Sequence, residues 1–456
     1  FVFGYPGSTT EYVPSYEVQS VTEVENPVAI GLRTKRLDIM KAAMDQDPEV
    51  RIQYSAKVAG IANGWKKMIG ESRGIKKLDG LEKKREFEAQ FNEWASSAPG
   101  LQEKYGEILP AFENIYEDLM PLRESFNYLF NAGMGVELMR YSYGFSRLVS
   151  LCEKKDATDE DISKMVERLK SSTTSFFKDY QKDIDKKVFS VIYADYYLNG
   201  DPKFHPDFFI TAKEKYNGDF EAFAEKVFKK TMFADEAAVM DFLDSFKKGK
   251  AKKISKDPMY QIAESIYDLY YNKIGPESRG LEGQIDSLMR IYMKAQREMQ
   301  PDKRFYPDAN FTLRVTYGKV EPYTPRDAVD YHYVTTLEGI MEKEDPEIYD
   351  YVVEDRLKEL YNTRDYGRYG NEDGTMNVCF IASNHTSGGN SGSPVLNADG
   401  HLIGLNFDRN WEGSMSDLMY DPDQCRNITL DIRYCLLIID KYAGAGHLVD
   451  EMTIIE

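Results

Sequence analysis

The 456-residue chain reads as an α+β protein of more than one domain, in which a long helical block interrupts a β-fold. Three features predict this. The chain opens on an apolar, strand-like run, Phe1-Val2-Phe3-Gly4, that turns at Tyr5-Pro6-Gly7. From about Asp38 to Met299 apolar residues recur at helical spacing. After Gln300-Pro301-Asp302 the texture changes to short alternating runs bounded by Gly, Asn and Asp.

Taken in order, the first run needs neighbours, because an isolated strand is unstable. The chain does not open on Met, so the expectation is the C-terminal part of a longer protein. The clearest helix begins at Asp47-Pro48-Glu49, which places an N-cap, an N1 proline and a first-turn acid in sequence. Its apolar stripe is Tyr54, Val58, Ile61, Ala62, Trp65, Met68 and Ile69. A neighbouring face of Ala56, Ala59, Gly60, Asn63 and Gly64 would let a backbone or ligand approach closely. Further stripes are Leu81/Phe87/Phe91/Trp94, Leu122/Phe126/Leu129/Phe130, Ile162/Met165/Leu169 and Ile262/Ile266/Leu269. Pro99-Gly100, Gly200-Asp201-Pro202 and Ile274-Gly275-Pro276 are expected to separate helices. No fixed-period repeat is present, which argues against a solenoid. Strands are expected over Phe311–Gly318, Tyr331–Thr335, Met376–Ala382, His401–Phe407 and Asn427–Asp431. An acidic helix is expected from Asp345 to about Tyr361, and another near Tyr434–Tyr442.

Composition narrows the function. With 76 acidic and 58 basic residues the formal charge is −18, and no basic cluster offsets it, so a nucleic-acid backbone is a poor partner. No run approaches the ~18 apolar residues of a membrane span. Four cysteines without C-x-x-C spacing give neither a zinc site nor a disulfide framework, and five scattered histidines give no ligand cluster. An acidic enzyme or a binding protein remains, with no cofactor implied.

Chemistry concentrates in Asn384-His385-Thr386-Ser387-Gly388-Gly389-Asn390-Ser391-Gly392-Ser393-Pro394-Val395. A serine flanked by glycines, between two strands, fits the nucleophile loop of chymotrypsin-like double β-barrels. There the N–H groups of Gly389 and Ser391 would converge on an oxyanion without a Cβ in the way. The competing interpretation is a Gly/Ser/Asn-rich surface loop; the Asp399-Gly400 turn and the strand after it argue against that. A serine needs an oriented base. Of the upstream histidines, His205 lies in the helical block, His332 precedes a strand-like run of the second half, and His385 is inside the loop itself. All three are read as structural, so the triad His and Asp are expected before Phe1 and the chain alone is expected to be inactive.

Gly388–Val395, Gly404–Glu412 and Asp431-Ile432-Arg433-Tyr434 resemble the bacterial dipeptidyl-peptidase 7 and 11 family. Gly4-Tyr5-Pro6-Gly7, Asn63-Gly64-Trp65-Lys66 and Tyr306–Arg314 support the likeness along the whole chain. The resemblance implies a chymotrypsin-like double β-barrel with a large helical domain inserted between the barrels. On that frame residues 1–12 end the N-terminal barrel, 13–309 form the helical lid, and 310–456 form the C-terminal barrel with the nucleophile. It also implies an acyl-enzyme on Ser391 and release of dipeptides from free peptide N-termini. Asp408 and Asn63 would hold the substrate ammonium, with Phe407 and Thr386 as further substrate contacts. The implied partners are such peptides and the N-terminal portion of the same protein, with a homodimer left open. The implied location is the periplasm or cell surface of a Gram-negative bacterium.

Arg409 follows Ser391 by 18 positions, on the strand that borders the specificity pocket in chymotrypsin-like folds. A guanidinium there offers a planar fork to one carboxylate. In the resembled family arginine at this place marks preference for Asp or Glu at P1, and glycine marks apolar P1. The alternative is that Arg409 pairs on the surface with Asp408 or Glu412. A glutamyl endopeptidase shares the serine loop, but the large helical block argues against that class. A non-catalytic peptide-binding protein is the rival of a different kind, and it would lack a His/Asp pair upstream of Phe1.

Overall fold

The computed structural model describes residues 1–455, which divide into two compact units. One joins Phe1–Val13, Gly70–Gly80 and the chain from Asp302 onward; the other joins Pro14–Ile69 to Leu81–Pro301. The first unit holds every strand: β1 (Val2–Gly4), β2 (Arg314–Thr316), β3 (Tyr323–Arg326), β4 (Val329–Tyr331), β5 (Val334–Thr336), β6 (Asn377–Ala382), β7 (Ser393–Leu396), β8 (Leu402–Arg409) and β9 (Asn427–Asp431). Seven of them form one antiparallel sheet in the order β2-β1-β7-β8-β9-β6-β5, and β3 with β4 makes a separate hairpin.

The opening strand, expected to end a preceding barrel, pairs within this sheet, with Val2 opposite both Thr316 and Val395. The alternation of its three residues explains the fit: Val2 and Gly4 are buried and Phe3 is not. Val2 packs with Phe380 and Val395, with Ile403 against them. A built Cβ on Gly4 would fall 2.2 Å from Ser393 Oγ, so only glycine passes there. A second apolar cluster, including Leu337, Met376, Leu436 and Leu437, underlies the short helices of this unit. The acidic helix begins only at Asp355 and runs to Thr363. At the expected start, Asp345 Oδ1 instead accepts the Glu347 N–H at 2.9 Å in a local turn. The strand expected over Phe311–Gly318 shrinks to β2, and at its expected start Phe311 takes a φ of +60° that is not extended backbone.

The helical unit follows its stripes. Asp47 Oδ1 accepts the Glu49 N–H at 2.8 Å at the start of helix Pro48–Lys77. Tyr54 and Val58 are buried in the main core, while Ala56, Ala59, Gly60 and Asn63 are exposed. Helix begins earlier than expected, at Ser15, where Glu88 accepts from both the backbone N–H and the hydroxyl of Ser15 at 2.6 Å. Ile274-Gly275-Pro276 does not break the chain into separate helices. A π-helical turn at Tyr270–Ile274 links Pro258–Leu269 to Gly275–Met299 and absorbs the proline. Fully buried Asp185 caps the helix Glu137–Tyr143 by accepting the N–H groups of Glu137 and Leu138 at 2.7 and 2.8 Å. Burial, with the charge of Glu137, raises its pKa well above the usual carboxylate range. No helix is long and apolar enough to cross a membrane among the described residues.

The domain division expected at 13 and 309 differs from the compact units at Gly70–Gly80, which group with the strands. Glycines again supply the reason. A Cβ on Gly70 would lie 2.6 Å from Ser414 Oγ and 3.2 Å from the Trp411 carbonyl, and one on Gly74 would lie 2.8 Å from Met415 Cγ. The 3₁₀ segment Trp411–Asp417 thus sits directly on the end of that helix. Gly60, on the same helix, has nothing within 4 Å of a built Cβ. We expect Gly70→Ala to destabilise the protein by about 1–3 kcal/mol through overpacking. Gly60→Ala should stabilise it by up to about 1 kcal/mol through helix propensity. Thermal melts of the two variants check this, and equal shifts would refute the packing argument.

Candidate active site

Ser391 stands on a turn built almost wholly from backbone and amide hydrogen bonds. The Asn390 side chain accepts the Ser387 N–H at 3.1 Å, and the Asn390 N–H returns to the Ser387 carbonyl at 3.1 Å. Ser393 N–H donates to the Asn390 carbonyl at 3.0 Å, and Gly392 N–H donates to the Asn406 carbonyl at 2.7 Å. The first of these closes a tight loop around Gly388 and Gly389; the last ties the serine to β8. Gly389 has φ +101° and Gly392 φ +80°, both in the region that disfavours side chains. Gly389 is doubly constrained, since a Cβ would fall 2.3 Å from the Tyr5 carbonyl. Gly7 N–H donates to the Gly388 carbonyl at 2.8 Å, which moors the turn to the chain's opening segment.

Beneath the turn runs a chain of buried amides. Asn406 Nδ2 donates to the Asn390 carbonyl at 3.0 Å, and Asn427 Nδ2 donates to Asn406 Oδ1 at 2.9 Å and to Thr429 Oγ1 at 3.2 Å. Asn390, Asn406 and Asn427 are each at most 3% exposed, so their amides are worth most as a connected set. Sequence reading passed over Asn406 and Asn427. The available signal was an asparagine at the inward position of two strands otherwise rich in apolar residues.

The serine itself is exposed, and its Oγ donates to the Phe407 carbonyl at 3.3 Å. Phe407 is the extra residue where the β8–β9 register shifts between Asn406 and Asp408; its side chain is exposed. Neither the Gly389 nor the Ser391 N–H donates to a protein acceptor among the described residues. No histidine is hydrogen-bonded to Ser391 among the described residues. His205 bonds the Gly200 carbonyl at 3.1 Å among aromatic rings. His332 is exposed beside Tyr333. His385 is half-buried, 3.4 Å from Thr10 Oγ1 and against Tyr420. Its pKa is lowered by burial first, while Asp417 raises it and Arg409 lowers it further.

Beside the turn, Thr386 and Arg409 border a cavity of about 10 Å³ with Asn384, His385, Ser416 and Tyr420, room for about one water. Arg409 pairs neither with Asp408 nor with Glu412. Its Nη1 and Nη2 donate to the two oxygens of Asp417, both at 3.0 Å, and Nη1 also donates to Ser416 Oγ at 2.5 Å. Burial works to lower the guanidinium's pKa, but the hydrogen bonds and charge of Asp417, with Glu71 nearby, raise it above its ordinary value. Asp408 is exposed, and its carboxylate accepts the Arg409 N–H at 2.7 Å. Glu412 instead accepts from the Tyr323 hydroxyl at 2.7 Å. Asn63 lies in the helical unit, on the exposed face of its helix.

Such an arrangement can offer a hydroxyl nucleophile with two N–H donors at its side, the equipment of a serine hydrolase. The family model for peptidase S46 matches residues 1–454, and the chain belongs to that family. An Asp/Glu-specific dipeptidyl-peptidase of Flavobacterium psychrophilum is 42% identical over 456 residues, covering 100% of this chain and 62% of that protein. A dipeptidyl-peptidase 7 of Phocaeicola vulgatus is 37% identical, covering 100% of this chain and 62% of its own length. The crystal structure of Porphyromonas endodontalis DPP11 in complex with the dipeptide Arg-Glu is similar at a TM-score of 0.86 and 34% identity, over 99% of this chain and 63% of that one. The chain thus spans less than two thirds of the length of these relatives.

Two substitutions test the turn. Asn406→Ala removes two hydrogen bonds of the buried amide chain, although the Asn390 carbonyl keeps Ser393 N–H and the Asn427 amide keeps Thr429 Oγ1, and it is expected to cost about 1–3 kcal/mol, measured by denaturant unfolding. Gly389→Ala is expected to cost about as much again through backbone strain and the clash with Tyr5. A neutral result for either would show the turn to be held elsewhere.

Proposed function

We propose that this chain is the nucleophile-bearing part of a serine dipeptidyl-peptidase that releases dipeptides from free peptide N-termini, with Asp or Glu preferred at P1. The observation that carries the reading is the exposed Ser391 hydroxyl in a glycine-rich turn whose Gly389 and Ser391 N–H groups are unengaged, on the same unit as a partly buried arginine, Arg409. The family membership supports it, as do the Asp/Glu specificity in the name of the Flavobacterium relative and the Arg-Glu dipeptide bound by the Porphyromonas protein. In this reading the antiparallel sheet unit is the second barrel of a chymotrypsin-like pair.

The chemistry follows from the groups. Ser391 Oγ attacks the carbonyl of the second residue while a histidine, oriented by an aspartate, takes its proton. Both are proposed to come from sequence outside this chain, because His205, His332 and His385 all have other surroundings. The Gly389 and Ser391 N–H groups receive the oxyanion. Collapse expels the amine, which takes the proton from the histidine, and water then releases the dipeptide from the acyl-enzyme. By the family resemblance Asp408 neutralises the substrate ammonium and Asn63 accepts a hydrogen bond from it, and Arg409 binds the P1 carboxylate. By the same resemblance the protein is proposed to act in the periplasm or at the cell surface of a Gram-negative bacterium.

Ser391→Ala in the full-length protein is expected to abolish hydrolysis of dipeptidyl substrates, and the present chain alone should show none. Turnover by this chain that is lost with Ser391→Ala would identify one of its own histidines as the base. Asp408→Asn, and Asn63→Ala alongside it, should weaken free-amine substrates about ten- to a hundred-fold more than N-acylated ones, since a charged hydrogen bond is worth about 1.5–3 kcal/mol. Paired kinetics on the two substrate types decide it; equal losses would remove the amine-anchoring role.

A further inference from the structure

We propose that Asp417 is a positioning residue for acidic-substrate recognition, holding one edge of the Arg409 guanidinium so that its other edge stands ready for a carboxylate. This rests on the assignment of Arg409 to the P1 side chain made above. A guanidinium carries five N–H donors in a plane. Three are engaged: one Nη1 N–H by Ser416 Oγ, and one each of Nη1 and Nη2 by the Asp417 oxygens. The Nε–H and the second Nη2 N–H have no partner among the described residues. Those two lie side by side along the remaining edge, the spacing that receives a carboxylate through two parallel bonds.

Asp417 could act in two opposite ways, by holding the arginine or by competing with the substrate for it. Competition requires the Asp417 carboxylate to give up both Nη groups, and the backbone that aims it at Arg409 is fastened. Glu11 N–H donates to the Asp417 carbonyl at 3.0 Å, and the Thr10 hydroxyl donates to the Ser416 carbonyl. The same 3₁₀ segment rests on Gly70 and Gly74 with no room for even a methyl group between them. Arg409 also keeps only 17% of its side chain exposed, and a flexible arginine would have to be ordered by each arriving substrate. Holding it beforehand moves that ordering into the folding of the protein. Asp417 takes one edge of the cation and leaves the other.

The test uses the full-length protein and kcat/KM for a matched pair of dipeptidyl substrates with Asp or Leu at P1. Asp417→Asn is expected to lower the Asp-to-Leu ratio by about three- to tenfold, mainly through KM, since ordering one long side chain is a modest cost. Ser416→Ala should act in the same direction but less, and it carries the test if Asp417→Asn fails to fold by thermal melt. In an Arg409→Gly background, Asp417→Asn should leave the ratio unchanged. An unchanged or increased ratio for Asp417→Asn alone overturns the proposal, an increase marking Asp417 as a competitor. If Arg409→Gly itself leaves the acidic preference intact, the assignment of Arg409 fails and this role falls with it. Loss of preference in Arg409→Gly beside a silent Asp417→Asn and a silent Ser416→Ala removes the positioning role only.

Discussion

The buried amide chain Asn390–Asn406–Asn427 is the constraint on which the serine turn depends. A glycine-rich loop has little side-chain packing of its own and would otherwise sample many conformations. Here its geometry is set from below, by carbonyls and amides whose hydrogen-bonding needs are fully exposed to a dry interior. Asn427 Oδ1 is already buried without a partner, and the cost of unpairing further members of the set holds the turn in one geometry. Ser391 thereby gains a defined position without a contact from its own side chain beyond the Phe407 carbonyl.

That constraint recruits the opening of the chain. Gly4 lies where Ser393 and Asn390 leave no space for a Cβ, and Tyr5–Gly7 lies against Gly389. Strand β1 is therefore part of the same construction as β7 and the nucleophile turn, although over three hundred residues separate them in sequence. Two glycines and one short strand turn a covalently distant segment into a wall of the site.

Charge is organised by the same logic. Arg409 is largely withdrawn from solvent, yet it keeps its charge because Asp417 and Ser416 supply the interactions that water would. Its pairing with a residue eight positions on is a consequence of the Trp411–Asp417 segment folding back onto its strand. The buried Asp185 of the helical unit shows the contrasting case, a carboxylate that caps a helix and whose charge the surroundings disfavour.

Local signals carried much of the chain. The helix start at Asp47-Pro48-Glu49, the strand at Asn427–Asp431 and the serine turn were legible because each is specified by neighbours in sequence: a cap, an alternation, a set of glycines. The family likeness was legible for the same reason, through contiguous motifs. What the sequence could not show were the relationships that close over distance. It did not show which strands β1 pairs with, cut a helix at Gly275-Pro276 that a π-turn carries through, and offered Arg409 the acids Asp408 and Glu412 instead of Asp417. Proximity along a chain says little about which edge of a guanidinium meets which carboxylate. That was decided by tertiary structure, because hydrogen-bond geometry and the desolvation of buried polar groups depend on atoms a few ångströms apart in space, wherever they stand in sequence.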